Sequence, residues 1–129
     1  MAVPANLKFT ANDEWIKVDG KNATVGITDY AQEQLSDIVF VEIVVAVGEV
    51  VNKGDSIATL ESVKAAADVY TPVSGKVAKV NDGLGSSPEI INSDPYGAAW
   101  IIKIELTNPA ELDTLMDAPA YDKFIQEQK

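Results

Sequence analysis

The sequence predicts a mainly β protein, folded as an antiparallel β-sandwich with short helices at its edges. Strand-like segments rich in Val, Ile and Thr recur between Gly, Asn and Asp turns along most of the chain. Two similar phrases, Gly48–Asp55 and Gly75–Gly83, suggest two quasi-symmetric halves, although chance similarity in a Val- and Gly-rich β protein explains them equally well. The length of 129 residues predicts a single domain spanning residues 1–129.

The N-terminal half begins with a predicted hairpin that is followed by a short helix. Glu14–Val18 is a predicted strand that enters a tight Asp-Gly turn, and Ala23–Ile27 is the returning strand. Thr28 is the predicted N-cap of a helix over Asp29–Leu35, whose acidic first residue suits the helix dipole. The apolar run Ile38–Val45 is long enough to form a central strand.

The C-terminal half is predicted to contain one strand and two helices. Leu84–Gly97 is dense in Gly, Pro, Ser and Asn and predicts a loop, whereas Ala99–Leu106 predicts a strand. Asn108, followed by Pro and then Glu, predicts the start of a helix that runs to about Met116. A final helix begins near Asp117, with three residues on one apolar face: Tyr121, Phe124 and Ile125.

A lysine lies at the centre of the segment between the two similar phrases. Strand-favouring residues flank Lys64 on both sides, and Gly54 and Gly75 lie at near-equal distances from it. This pattern predicts two short strands that meet at a hairpin tip occupied by Lys64, although the alanines after it are good helix formers. A lysine at a hairpin tip projects its amine into solvent. It is then either a solubilising residue or an attachment point.

The composition excludes several classes of chemistry. Twenty acidic residues against ten basic ones give a formal net charge of −10, and every basic residue is lysine. Nucleic-acid surfaces need clustered cations and commonly use Arg, so we expect no nucleic-acid partner. The chain has no cysteine and no histidine, which excludes disulfides, Ser-His and Cys-His nucleophiles and the usual zinc sites. We therefore expect no metal site. Any redox or transfer chemistry would need an attached group.

Targeting signals are not found in the sequence. Met1–Lys8 lacks the basic region and apolar run of a signal peptide. The longest apolar stretch, Ile43–Val47, is of strand length and far shorter than a membrane span. We therefore expect a cytoplasmic protein with no membrane partner.

Several phrases, in order and over nearly the whole chain, carry a resemblance to a known family. They are Asp13–Trp15, Val25–Gln32, Asp37–Glu42, Glu61–Ala65, Pro72–Gly75, Val80-Asn81 and Asn92–Gly97. In these phrases the chain closely resembles the glycine cleavage system H-protein family of lipoyl carriers. The resemblance implies a barrel-sandwich hybrid of the lipoyl/biotinyl-carrier type, with a short helix near residues 29–35 and C-terminal helices.

The resemblance also implies a function. Lys64 would carry covalent lipoic acid as N6-lipoyl-lysine, with Glu61 and Gly75 as recognition elements around it. The lipoyl arm would take the aminomethyl group of glycine from the PLP-dependent glycine decarboxylase (P-protein) to the tetrahydrofolate-dependent aminomethyltransferase (T-protein). Dihydrolipoamide dehydrogenase (L-protein) would then reoxidise it, and lipoylating enzymes would attach it. The chain is thus expected to be a monomeric carrier and a substrate of its partners, not an enzyme.

An acidic cleft would hold the cation of the loaded arm and exclude water. The resemblance makes Glu14 the first candidate for lining such a cleft and Asp68 the second, the alternative being that both are solvated surface acids. Asp13 and Gln34 stand where the family commonly has His, so a role for imidazole is unsupported here. Residues 44–46, Val-Val-Ala, replace the usual Pro-containing loop, and a different turn is expected there.

Four alternatives stay open. A biotin carrier also presents a hairpin lysine, but it usually flanks that lysine with Met, whereas this chain has Val63 and Ala65. Lipoyl domains of 2-oxoacid dehydrogenases are typically shorter and embedded in longer chains. An H-like relay protein would donate its lipoyl group to other carriers, and an unmodified sandwich would be a binding module. Acid–base catalysis by Glu61 and Asp68 is discounted because nothing in the sequence gathers them into a pocket.

Overall fold

The computed structural model describes residues 4–128, which form two open antiparallel β-sheets that share one hydrophobic core. The larger sheet has the strand order β1-β2-β3-β9-β8-β5, and the smaller has the order β4-β6-β7. This arrangement confirms the predicted antiparallel sandwich. The strands are β1 Lys8–Phe9, β2 Glu14–Asp19, β3 Asn22–Ile27, β4 Ile38–Ile43, β5 Val50–Val51, β6 Ser56–Ser62, β7 Ala66–Tyr70, β8 Gly75–Val80 and β9 Ile102–Leu106.

Short helices lie between and after the strands. They are α1 Asp29–Leu35, α2 Gly83–Ser86, α3 Ile90–Ser93, a 3-10 helix Pro109–Thr114 and α4 Ala118–Gln128. None of the helices between residues 4 and 128 is long and apolar enough to cross a membrane.

The predicted N-terminal hairpin and helix are confirmed. β2 and β3 pair in antiparallel register from Glu14 opposite Ile27 to Asp19 opposite Asn22, and Gly20 turns the chain with a φ of 65°. α1 has its predicted bounds. The Thr28 hydroxyl accepts a hydrogen bond from the Ala31 N–H at 3.1 Å, as expected of an N-cap.

The apolar run Ile38–Val45 does contain a strand, but its predicted central position in the sheet is wrong. The strand ends at Ile43 and lies at the edge of the smaller sheet, in which β6 is central. A register shift between Ile38 and Phe40 marks a bulge, so that Val39 and Phe40 both remain exposed while Val41 is buried. An apolar run is therefore not sufficient to predict that a strand has neighbouring strands on both sides.

Two C-terminal elements also differ from prediction. The predicted loop Leu84–Gly97 contains the short helices α2 and α3, which bury Leu84 and Ile91 in the core. The predicted helix from Asn108 to Met116 is a 3-10 helix that ends at Thr114, and the Asn108 side chain makes no capping bond. Met116 pairs instead with Phe9 of β1 through two backbone hydrogen bonds of 2.8 and 2.9 Å.

The two similar segments, Gly48–Asp55 and Gly75–Gly83, contain strands that pair with each other. In the antiparallel pair β5–β8, Val50 lies opposite Lys76 and Val51 lies opposite Gly75. A Cβ added at Gly75 would clash with the carbonyl oxygen of Glu105 on β9. Glycine at this position therefore permits the close approach of β8 and β9.

A second hydrophobic cluster anchors α4 beside the larger sheet. The Phe9 and Tyr121 rings stack with centroids 4.5 Å apart, and Trp15 is buried with them. Tyr121 and Ile125 are buried and Phe124 is half-buried, which confirms the predicted apolar face. Burial of side chains of this size stabilises a fold by about 1.5–3 kcal/mol each. This packing brings the Tyr121 hydroxyl to the start of β2.

Candidate functional site

Lys64 lies in the turn between β6 and β7, at the hairpin tip where the sequence placed it. The Ser62 hydroxyl organises this turn. It accepts hydrogen bonds from the N–H groups of Lys64 (3.2 Å) and Ala65 (2.9 Å) and donates one to the Ala65 carbonyl (3.1 Å). The Val63 N–H donates to the Asp37 carbonyl at 3.0 Å, which ties the turn to the start of β4. The backbone is thus fixed while the Lys64 side chain is exposed to solvent.

The two proposed recognition elements lie in different places. Glu61 is exposed on β6, in register with Phe40 on one side and Ala66 on the other. Gly75 begins β8 in the other sheet and is buried. The structure therefore places Glu61 on the lysine hairpin, whereas the close strand contact at Gly75 gives that glycine a packing role.

A cleft of about 180 Å³ brings the two candidate acids together. Glu14 and Asp68 both line it, as do Asp13 and Gln34, the two positions that depart from the family pattern. Its wall also includes Asn12 and apolar residues of β3, α1, β6 and β7: Ile27, Ala31, Leu35, Leu60, Ala67 and Val69. The cleft thus combines carboxylates with an apolar lining. Part of its wall is β7, the strand that follows the lysine turn.

Glu14 is buried, with only 2% of its surface exposed, so its interpretation as a solvated surface acid is wrong. One carboxylate oxygen accepts a hydrogen bond from the Tyr70 N–H at 2.8 Å, and the other accepts one from the Thr10 hydroxyl at 2.9 Å. Burial nevertheless raises the pKa of Glu14 from 4.5 to about 7, because these two bonds only partly offset the loss of hydration. A carboxyl that titrates near neutrality therefore lines the cleft.

Asp68 is exposed at the rim of the same cleft. Its carboxylate accepts a hydrogen bond of 3.2 Å from the Thr59 hydroxyl on the neighbouring strand. Asp68 is therefore a surface acid, as the alternative interpretation predicts. It nevertheless lines the same cleft as Glu14 and gives that cleft a second acidic group.

A hydrogen-bonded chain that the sequence did not predict supports the start of β2. The Tyr121 hydroxyl of α4 donates to the Asp13 carboxylate at 2.9 Å, which leaves the Thr28 hydroxyl to donate to the Tyr121 oxygen at 2.7 Å. Asp13 has a φ of 64°, a left-handed conformation that is costly for a residue with a side chain. Burial raises the pKa of Asp13, and the Tyr121 bond opposes that rise. The C-terminal helix therefore holds the residue that precedes Glu14.

A second, larger cleft of about 470 Å³ also has Glu14 in its wall. Its wall is largely apolar and includes Phe9, Pro72, Met116 and Phe124, with Lys53 at one end. Asn12 and Glu14 both line the two clefts. No local sequence pattern indicates this cleft, because its walls come from distant parts of the chain.

Comparisons with a family model, with related sequences and with a solved structure all match this chain to the same protein family. The model of the family described as glycine cleavage H-protein matches residues 7–128. The chain is 54% identical to the glycine cleavage system H protein of Symbiobacterium thermophilum over 97% of both chains. It is also 54% identical to that of Coprothermobacter proteolyticus, covering 98% of this chain and 100% of the relative. The crystal structure of a glycine cleavage system H protein from Mycobacterium marinum superposes with a TM-score of 0.84 at 33% identity, covering 98% of each chain.

Proposed function

The chain belongs to the glycine cleavage H-protein family, and from that membership we propose that Lys64 is its lipoyl-bearing residue. Proteins of this family are the lipoyl carriers of glycine cleavage, and the chain has that role. The observation that carries the proposal is the exposed lysine on a turn fixed by Ser62. A fixed turn holds the base of the Lys64 side chain at one position on the surface, and a tethered group has a high effective concentration at any docked enzyme.

The attached group supplies chemistry that this chain lacks. When bound as an amide, the lipoyl group provides the redox sulfur that carries the aminomethyl group of glycine from P-protein to T-protein before L-protein reoxidises it. The chain itself has no cysteine and no histidine. Its own contribution is to present Lys64, to provide a cleft beside the hairpin and to dock its partners. In this account it is a single carrier domain and a substrate, acting as a cytoplasmic monomer.

The cleft lined by Glu14 and Asp68 is proposed to hold the cationic end of the loaded arm. Support comes from the two carboxylates and the apolar wall that the cleft combines. A nearby cation favours the ionised form of Glu14 and would lower its pKa from about 7. The buried position of Glu14 also keeps water away from that end of the cleft.

The lifetime of the aminomethyl-loaded protein tests the role of Glu14. We expect Glu14→Ala to release ammonia and formaldehyde faster than the unaltered protein, with Glu49→Ala as an exposed-acid control that keeps the original lifetime. An unchanged lifetime in Glu14→Ala would remove Glu14 from the mechanism.

Reconstitution tests the carrier function. Glycine, tetrahydrofolate, NAD and the three partner enzymes should produce NADH only when the lipoylated chain is present. Lys64→Arg should abolish this dependence, whereas Lys76→Arg, which changes an exposed lysine on β8, should preserve it. NADH formation supported by Lys64→Arg would contradict the proposed function.

A further inference from the structure

Three exposed apolar side chains lie together beside the lysine turn. Val39 and Phe40 belong to β4, and Val63 directly precedes Lys64; their exposed fractions are 55%, 45% and 68%. The backbone brings them together, because Phe40 pairs with Glu61 near the end of β6 and the Val63 N–H binds the Asp37 carbonyl. We name Val39, Phe40 and Val63 the turn-flanking patch. Single exposed apolar residues need no explanation, but a group of them beside a functional residue indicates an interaction site.

The bulge in β4 produces this patch. Ile38 and Val41 are buried, and the register shift between Ile38 and Phe40 leaves Val39 and Phe40 facing outward together. β4 is an edge strand, and at its start the Ile38 N–H donates to the Asn92 side chain at 2.8 Å.

Acidic residues surround the turn-flanking patch. Glu42 lies two residues after Phe40, Glu61 lies opposite Phe40, and Asp37 begins the segment to which Val63 is bonded. All three acids are exposed, and the whole chain carries a formal charge of −10. An apolar centre with an acidic rim suits a partner that has an apolar surface rimmed by basic side chains.

We propose that the turn-flanking patch is the docking surface of the enzyme that attaches the lipoyl group, an inference that rests on the proposed lipoylation of Lys64. That enzyme must bring its active site to the bare Lys64 amine, since no arm yet extends from the turn. Its surface therefore has to cover the neighbours of Lys64. An enzyme that acts on the far end of a completed arm has no such need.

The attachment step defines how close the two proteins must come. The neutral Nζ of Lys64 attacks the carbonyl carbon of an activated lipoyl donor, such as an acyl adenylate. The C–N bond forms, the bond from carbon to the leaving group breaks, and the leaving group departs with the electron pair. The lysine ammonium loses two protons in all, one before attack and one after it. Reaction requires the two reacting atoms to be held about 3–3.5 Å apart, which places the enzyme surface against the turn.

The experiment measures lipoylation of the unmodified chain by a lipoate–protein ligase with lipoic acid and ATP, over a range of chain concentrations. Phe40→Ser is expected to raise the KM for the chain about tenfold with little change in kcat, as loss of an interface anchor does. Val39→Ser should act in the same direction. Val50→Ser is the matched control, because Val50 is 67% exposed but lies on β5 of the other sheet, and its KM should be unchanged.

The outcomes separate this inference from the proposed function. If the unaltered chain is lipoylated at Lys64 and Phe40→Ser has the same KM, the docking surface is overturned while the carrier function stands. If the unaltered chain accepts no lipoyl group, the carrier function itself fails. Thermal unfolding midpoints of the variants should match that of the original chain. Reoxidation of fully lipoylated Phe40→Ser by dihydrolipoamide dehydrogenase should keep its original rate, and an equal loss there would overturn the assignment to the attaching enzyme.

Discussion

Replacement of Glu14 by glutamine should remove most of the pH dependence of stability that this residue causes. Burial raises the pKa of Glu14 from 4.5 to about 7, so the folded protein binds this proton more tightly than the unfolded chain does. The resulting stabilisation is fully present below the unfolded pKa of 4.5. It is lost as the pH rises through the folded pKa near 7.

The size of the effect follows from the two pKa values. Each pKa unit corresponds to about 1.4 kcal/mol, so a rise from 4.5 to about 7 corresponds to about 3 kcal/mol. Glutamine does not titrate in this range, and its carbonyl oxygen can still accept from the Tyr70 N–H. The free energy of unfolding of Glu14→Gln minus that of the original protein should therefore increase by about 3 kcal/mol as the pH rises from about 4.5 to about 8.5.

Urea denaturation followed by tryptophan fluorescence gives the measurement, since Trp15 is buried next to Glu14 in sequence. Curves for both proteins are recorded at several pH values across this range and the free energies subtracted. Glu61→Gln changes an exposed acid and should give a nearly constant difference. Parallel pH profiles for Glu14→Gln and the original protein would refute the argument that Glu14 is desolvated.

Three further substitutions test the surroundings of the site. Tyr121→Phe removes the hydroxyl that binds Asp13 and should lower the free energy of unfolding by about 1–3 kcal/mol; an unchanged urea midpoint would show that the bond is unimportant. Gly75→Ala should destabilise the fold by about 1–3 kcal/mol or more because of its clash with β9, whereas Gly85→Ala, which enters open space, should not; equal unfolding midpoints would contradict the packing role. Ser62→Ala should lower the amide order parameters in the lysine turn to below about 0.6 by NMR relaxation, and rigid values there would disprove the role of its hydroxyl.

Local signals in the sequence were sufficient for the elements near the start of the chain. The β2–β3 hairpin and α1 depend on an Asp-Gly turn, alternating side chains and a Thr28 cap, all of which act within a few residues. The hairpin that carries Lys64 was also predicted, because its glycines and β-branched residues mark the two strands.

The burial of Glu14 could not be derived in the same way. Its carboxylate binds the N–H of Tyr70, which is 56 residues away in the sequence, and no local pattern reports such a partner. The bond between Tyr121 and Asp13 spans 108 residues and is equally invisible to local analysis. The apolar position of Tyr121 on its helix was the one available signal, and it indicated burial but not the hydroxyl's partner.

The errors in the fold have a related cause. The run Ile38–Val45 was interpreted as a central strand because nearly all its residues are apolar, but the bulge exposes Val39 and Phe40 at a sheet edge. The proposed docking of the lipoyl-attaching enzyme would account for the exposure of these residues, and that enzyme lies outside the chain. The segment 84–97 was interpreted as loop from its composition, yet Leu84 and Ile91 anchor helical turns in the core.

Intact-mass spectrometry measures directly whether Lys64 carries the lipoyl group. The chain is produced in a host able to attach both lipoyl and biotin groups, alongside Lys64→Arg and the control Lys76→Arg. The mass of the original chain and of Lys76→Arg should increase by one lipoyl group, and that of Lys64→Arg should not. A biotin-sized increase, no increase despite full lipoylation capacity, or a lipoyl group retained in Lys64→Arg would contradict lipoylation of Lys64.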